Sequence, residues 1–318
     1  MLKKASWLLA LSAAAVVQVN AAAPALAAYP EKPVKIILPY PPGGSTDVFI
    51  RTVAQYLEPK LGQPIVIVNM TGAGGAVGML EAMNSRPDGY TVGMYLTNTE
   101  VAQAVGVAAF TNDDFDPACH VGDIFLTVTA KGDGPYQTLD DYRKAAEAKP
   151  GEVGIAMGVG SLAQFAAGML ADEMGVELKQ VNAGAGAEKK AAVLGGHVDA
   201  LIEPTPGVIG PHKDGQLRIL AVFSPERLSF APDLPTGKEQ GVDLVLSQAN
   251  GFFFPNGTPE EAVDTFCGAL ESLGENAEFQ AKMDQVNLIW NFMQGEEYEQ
   301  FVDQTHEEIM AIGKKLGY

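Results

Sequence analysis

The chain has 318 residues, with 39 acidic against 21 basic side chains and a formal net charge of −18. That excess repels nucleic acid and anionic lipid, so neither is an expected partner, and an anionic small ligand must be held by local dipoles rather than by the overall field. Two cysteines are too few for a disulfide framework, and the four histidines, His120, His197, His212 and His306, lack metal-ligand spacing, so no metal or other cofactor is expected.

Lys3 and Lys4 precede an apolar run from Trp7 to Val17, and Ala25-Leu26-Ala27 supplies a small-x-small cleavage site. Residues 1–27 therefore read as a secretory signal whose apolar run is too short to span a bilayer, and no later stretch reaches ~18 consecutive apolar residues. Without Lys3 and Lys4 the formal charge goes from −18 to −20. The mature chain is long enough for two domains of ordinary size. Export permits a bridge between Cys119 and Cys267. Their strand-like and helix-like surroundings give no reason for proximity, however, and two buried free thiols are expected.

After the lead-in Tyr29-Pro30-Glu31-Lys32-Pro33, the run Val34 to Leu38 predicts a strand, and IILPYPPGGSTD predicts a Pro/Gly turn feeding a helix from about Asp47 to Leu61, closed by Gly62 and Pro64. Such a junction aims unpaired backbone N–H groups and the positive end of a helix dipole at one point, where an anion can sit. A second strand, Ile65 to Val68, leads into NMTGAGGAV and a helix through Met79 to Asn84. Thr91 to Leu96 makes a third strand, finishing in Thr97-Asn98-Thr99. Strand, turn and helix thus alternate three times, the signature of an α/β sheet with its working loops at the strand carboxyl ends. The glycines after Asn69 do not make a dinucleotide fingerprint, because the third glycine position is Val77.

The apolar run Cys119 to Ala130 is a candidate crossing into a second domain. Beyond it come a helix carrying Leu139, Tyr142 and Ala146 and a strand Val153 to Met157. The junction Gly158-Val159-Gly160-Ser161 then opens another helix and repeats the physical form of the first. Further strands are expected at Gln180 onward, Val198 to Ile202 and Leu217 to Phe223, with a helix over Ala187 to Gly195 between the first two. In the return segment Gly251 to Phe254 precedes a helix with Thr258 as N-cap and Pro259 at its first position. Amphipathic helices are expected over 260–274 and 296–315, with a strand over Val286 to Phe292.

PYPPGGSTD, LGQP, NMTGAGGAVG, RPDGYT, the helix opening GVGS, VLGGHVDALI, GQLRILAVFSPER, DLPTGKEQG and PNGTP occur in order from Tyr29 to Pro259. Together they resemble the extracytoplasmic solute receptors of the tripartite tricarboxylate transporter family, the Bug proteins. The resemblance implies a type II periplasmic-binding-protein fold: two α/β lobes that close on a ligand in the cleft between them. It divides the chain into a first lobe over 28–125, a second over 126–249 and a return segment with C-terminal helices over 250–318. It also implies a periplasmic monomer that takes up a small organic carboxylate or amino acid, with the membrane subunits of a transporter as partners. In that family a carboxylate is held by backbone amides and hydroxyls of the loops after the first strand of each lobe, here Pro42 to Asp47 and Gly158 to Ser161. The chain departs from the family pattern at Gln164, where many members have His, at Ala183 and Gly184, where a Tyr-Lys pair is common, and around Gln248 to Asn250, where an aromatic is usual.

The candidate ligand residues are Tyr40, Gly43, Gly44, Ser45, Thr46, Asp47, Thr97, Asn98, Gly158, Gly160, Ser161 and Glu203. Each has a bland alternative. The glycines suit tight turns, Ser, Thr and Asp suit helix caps, and Tyr40 suits the core. Asp47 beside an anion is costly unless it caps the helix or meets an amine or hydroxyl. Glu203, after four apolar strand residues and before Pro204, either receives a ligand amine or hydroxyl or serves as a hinge or salt-bridge residue. Two other functions compete with a transport receptor: an exported serine hydrolase using Ser161, and a ligand receptor for a membrane sensor. The hydrolase lacks the G-x-S-x-G elbow at Ser161, so no catalytic residue is assigned.

Overall fold

The computed structural model describes residues 29–318; the expected secretory signal, residues 1–27, lies outside the described residues. Strand β1 (Val34–Leu38) is buried at four of its five positions and feeds helix α1 (Ser45–Leu61). Gly62 ends α1 in the left-handed region, φ 67°, with its N–H on the carbonyl of Glu58. β2 (Ile65–Asn69), α2 (Ala76–Met83), β3 (Thr91–Leu96) and α3 (Thr97–Ala104) follow. β1 pairs in parallel with both β2 and β3, as the alternation of elements predicts. Thr97-Asn98-Thr99, expected as the end of the third strand, instead form the first turn of α3. The short side chains there leave no signal against a helix, and Val101 and Ala102 bury its inner face.

The crossing is a single long strand, β4 (Phe115–Lys131), buried continuously from Ala118 to Ala130. Its first part, Phe115 to Phe125, pairs with β9 (Ser247–Pro255). From Leu126 onward it pairs with β7 (Ala200–Pro204) and β8 (Leu217–Val222). β4 thus changes partners between Phe125 and Leu126 and belongs to two sheets. At that junction Asp123 accepts Ser247 Oγ at 2.5 Å and Asn291 Nδ2 at 3.1 Å and pairs with the buried His120, tying three strands together.

The second sheet is completed by β5 (Gly154–Met157) and β6 (Lys179–Asn182), with α4 (Leu139–Ala148), α5 (Leu162–Met174), α6 (Gly186–Leu194) and α7 (Thr205–Lys213) around it. α7 is not foreseen from the sequence, in which Glu203-Pro204-Thr205-Pro206 is only the end of the expected strand. Pro206 sits in its first turn, where a missing N–H costs no hydrogen bond. After β9 come α8 (Glu260–Glu271), α9 (Ala277–Gln285), β10 (Ile289–Gln294) and α10 (Glu296–Leu316). β10 pairs with β4, so the expected strand exists, displaced a few residues toward the C-terminus.

Two expectations are corrected here. Pro259, not Thr258, is the N-cap of α8, and the Thr258 hydroxyl donates to the carbonyl of Pro255 at 2.8 Å. Cys119 and Cys267 are not free thiols but form a disulfide joining β4 to α8. The bridge was illegible in sequence because 148 residues separate the two; only the return of the chain through β9 brings α8 against β4.

α10 touches both sheets. Tyr298 and Val302 pack with Tyr95 and Phe253 in one core cluster, whereas Ile309 packs with Phe165 and Leu170 in another. His306 on α10 meets the buried carboxylate of Glu100 on α3 at 2.8 Å.

Strand directions place the loops. β1 is parallel to β3, β3 antiparallel to β9, and β9 antiparallel to β4, so β1 points the way β4 does, toward the second sheet. β5 is parallel to β7 and β7 antiparallel to β4, so β5 points back toward the first sheet. The turns after β1 and β5 therefore lie on facing ends of two α/β lobes, where open α/β sheets bind their ligands.

Candidate functional site

The turn after β1 is anchored from below. Gly44 is the N-cap of α1, in extended conformation and with no side-chain hydrogen bond to the helix end. Asp47, in the first turn and only 4% exposed, reaches back instead: its Oδ2 accepts Gly43 N–H at 3.0 Å and Arg51 Nε at 2.9 Å. Its Oδ1 accepts Asn69 Nδ2 at 2.9 Å. The same Asn69 amide donates to Tyr40 O at 2.9 Å, and its Oδ1 accepts Arg51 at 2.9 Å. Burial alone would raise the Asp47 pKa; the hydrogen bonds from Arg51, Gly43 and Asn69, with the Arg51 charge, outweigh it and hold the carboxyl at about 2. Asp47 is thus an ionised, fully engaged anchor of the turn, and it does not cap α1. The first-turn N–H groups of α1, on Ser45 and Thr46, are left without a helical acceptor.

Asn69 and Arg51 escape sequence reading as site residues. The available signal is that Asn69 ends β2 directly beside Leu38, the last residue of β1. Tyr40 closes the turn from above, its hydroxyl donating to Gly74 O at 3.1 Å. Gly75 has φ 107° and packs against Pro39, Tyr40 and Thr99, so the GAGG segment lies against the first turn and the start of α3.

The turn after β5 repeats this geometry. Ser161 is the N-cap of α5, yet its hydroxyl donates backward to Gly158 O at 2.6 Å and does not cap the helix. Gly160, at φ 66°, gives its N–H to Gln164 Oε1 at 2.7 Å, as Gly43, at φ 83°, gives its own to Asp47. With Ser161 N–H on Gly158 O at 3.3 Å, the donors left free at this end are those of Leu162 and Ala163. A nucleophilic Ser161 would need a base; among the described residues its hydroxyl bonds only a carbonyl, and no His or carboxylate reaches it.

The remaining candidates divide. Thr97 is 2% exposed and its hydroxyl is fully engaged, donating to Ser247 O at 3.1 Å and accepting Ala249 N–H at 3.0 Å. It locks α3 to β9. Asn98, its neighbour, keeps a buried Oδ1 with no partner among the described residues. Glu203 stands at the carboxyl end of β7, but its Oε2 lies 2.7 Å from the ammonium of Lys189, which also donates to Ile202 O at 2.6 Å. Gly186 and Gly207 close over that carboxylate; a side chain at Gly186 would collide with it, and one at Gly207 would press on it. Of the two roles open to Glu203, the ion pair is occupied.

A cavity of about 670 Å³ runs along α10 beside Asp123, Leu246, Ser247 and Asn291. It includes Thr97 but no residue of the turns after β1 or β5, so it is separate from those two turns.

The family described as tripartite tricarboxylate transporter family receptor matches residues 49–318. This chain belongs to that family. Protein BugT of Bordetella pertussis is 33% identical over 243 residues, covering 74% of each chain. The crystal structure of a TctC solute-binding protein from Polaromonas superposes with a TM-score of 0.78 at 29% identity, covering 90% of this chain and 99% of that one. MatC from Rhodopseudomonas palustris, solved with bound malate, shares the fold at 22% identity, with a TM-score of 0.73 over 90% of this chain and 100% of that one. The tripartite tricarboxylate transporter receptors are periplasmic solute-binding proteins, and this receptor has their type II fold. No helix among the described residues is long and apolar enough to cross a membrane.

Proposed function

We propose that this receptor captures a small organic acid carrying two carboxylates between the starts of α1 and α5 and delivers it to the membrane subunits of its transporter. The observation that carries this reading is the pair of helix starts on facing strand ends, each with its own side chains turned away from the free first-turn N–H groups. Free N–H groups at a helix start, aided by the helix dipole, replace the water around a carboxylate without bringing a full positive charge into an acidic protein. One carboxylate at each start links the two lobes, so bound acid favours the closed arrangement. Gly43, Gly44, Ser45 and Thr46 form one half of this clamp and Gly158, Gly160 and Ser161 the other, with Asn98 between them and Tyr40 as a wall. The lobes divide near Phe125/Leu126 and Ala249/Asn250, close to where β4 changes partners. The protein works as a monomer in the periplasm after removal of residues 1–27, and by binding rather than catalysis.

The test is calorimetric titration of the ligand-free mature protein with malate and adipate, alongside Ser45→Pro. Proline suits the first position of a helix, and Gly44 is already extended, so this change removes one N–H donor and one hydroxyl while leaving α1 able to form. Wild-type protein is expected to bind at least one of the two acids, and Ser45→Pro to bind it about tenfold more weakly with unchanged thermal stability. No heat of binding and no thermal stabilisation with either acid overturns the reading.

A further inference from the structure

The start of α5 is held by a residue from the far end of the chain. We propose that Gln164, fixed in place by the C-terminal Tyr318, is a specificity-determining residue of the second half of the clamp. This rests on the carboxylate-receptor reading above. Gln164 Oε1 receives two hydrogen bonds, from Gly160 N–H at 2.7 Å and from the Tyr318 hydroxyl at 2.9 Å. A backbone N–H only donates, so the atom it meets is the amide oxygen, and the carboxamide has one orientation. Both lone-pair directions of Oε1 are then occupied. The Nε2 end, with its two donors, bonds no other group among the described residues.

Tyr318 is itself positioned. Its ring stacks on Phe165, which is fully buried, with centroids 6.1 Å apart and planes 11° from parallel, and its backbone N–H bonds Gly313 O at 3.0 Å. Gly313 lies against Ala104 of α3 and against Phe165, so the last turn of α10 is seated where α3 and α5 meet. The C-terminal residue thereby sets the rotamer of Gln164 and, through Gly160 N–H, the path of the turn after β5.

Comparison with the other half explains why the side chain matters. Asp47 occupies the same helical position and makes the same bond to a glycine N–H, but Arg51 lies on its carboxylate and neutralises it. Among the described residues no basic side chain bonds Gln164. The side chain at this position is therefore neutral and carries amide donors on the turn that leads to the free N–H groups of Leu162 and Ala163. A carboxylate in place of this amide would present an uncompensated negative oxygen to an anionic ligand.

Gln164→Glu separates the roles, because glutamate keeps an oxygen for Gly160 and Tyr318 and replaces only the NH2 group. With malate and adipate as probes at pH 7, Gln164→Glu is expected to bind at least about tenfold more weakly than wild type, at unchanged melting temperature. The loss is expected to recover as pH falls toward the glutamate pKa, about 4.3, a readout that a purely structural defect would not give. Tyr318→Phe, which keeps the stacked ring, is expected to weaken binding about three- to tenfold without loss of stability. Wild-type affinity in both variants overturns the inference and leaves the receptor reading intact, as does a Gln164→Glu loss that low pH does not restore. Wild-type protein that binds neither acid overturns both.

Discussion

The carboxylate of Asp47 accepts the backbone N–H of Gly43 at 3.0 Å. Gln164 does the same for Gly160 in the other lobe. Each bond takes up the N–H of a left-handed glycine just outside the helix and leaves the donors inside the first turn free. The side chain that would cap an ordinary helix is used to set the turn, and the helix end is kept open.

Asp47→Ala is expected to destabilise the protein by about 2–3 kcal/mol, because three donors lose an ionised acceptor at a buried position. It should also weaken malate or adipate binding, since the Gly43 turn loses its anchor. The pH dependence has a defined sign. The folded-state pKa of Asp47 is depressed to about 2, so its contribution, on the order of 2 kcal/mol, is fully present above the unfolded value near 3.9 and is lost as pH falls from there through about 2. Urea unfolding of wild type and Asp47→Asn between pH 2 and 6 measures this; curves separated by the same amount at every pH would refute it.

Removal of the disulfide is expected to lower stability by about 3–5 kcal/mol, since it closes a long loop between residues 148 apart. Cys119 and Cys267 lie in the core cluster with Phe252, Phe254 and Phe266, away from the turns after β1 and β5. The double Cys→Ala variant should therefore keep its acid affinity while its urea midpoint falls. Free thiols on titration of the unreduced protein would show that the bridge does not form.

Glu203→Gln leaves the Lys189 ammonium, 5% exposed, without its carboxylate partner. A loss of about 3 kcal/mol is expected, with much of it recovered when Lys189→Met is added, as for other buried pairs in which one charge is stranded. Acid preference is expected to stay the same. A changed preference at full stability would instead return Glu203 to direct contact with the ligand.

Much of the architecture is written in local pattern. The alternation from Val34 to Leu96 and the two Gly-rich strand-to-helix junctions depend on residues adjacent in sequence, so they could be read directly. α7 was hidden because two prolines in Glu203-Pro204-Thr205-Pro206 follow directly on the strand, and the first turn of α3 because Thr97-Asn98-Thr99 carries no helical periodicity. Asn69 and Arg51 were missed as anchors of the first turn because neither departs from its local pattern. Their role exists only because β2 ends beside β1.

The sequence by itself determined that two glycine-rich turns each lead from a strand into a helix start, since turn chemistry and helix polarity are local properties. Only the tertiary structure decided what stands around them. Parallel and antiparallel pairing turned the two starts toward one another, the return of the chain joined Cys119 to Cys267, and the end of α10 set Tyr318 on Gln164. Each of these depends on contacts between residues far apart in the chain, which packing of the core selects and local pattern does not encode.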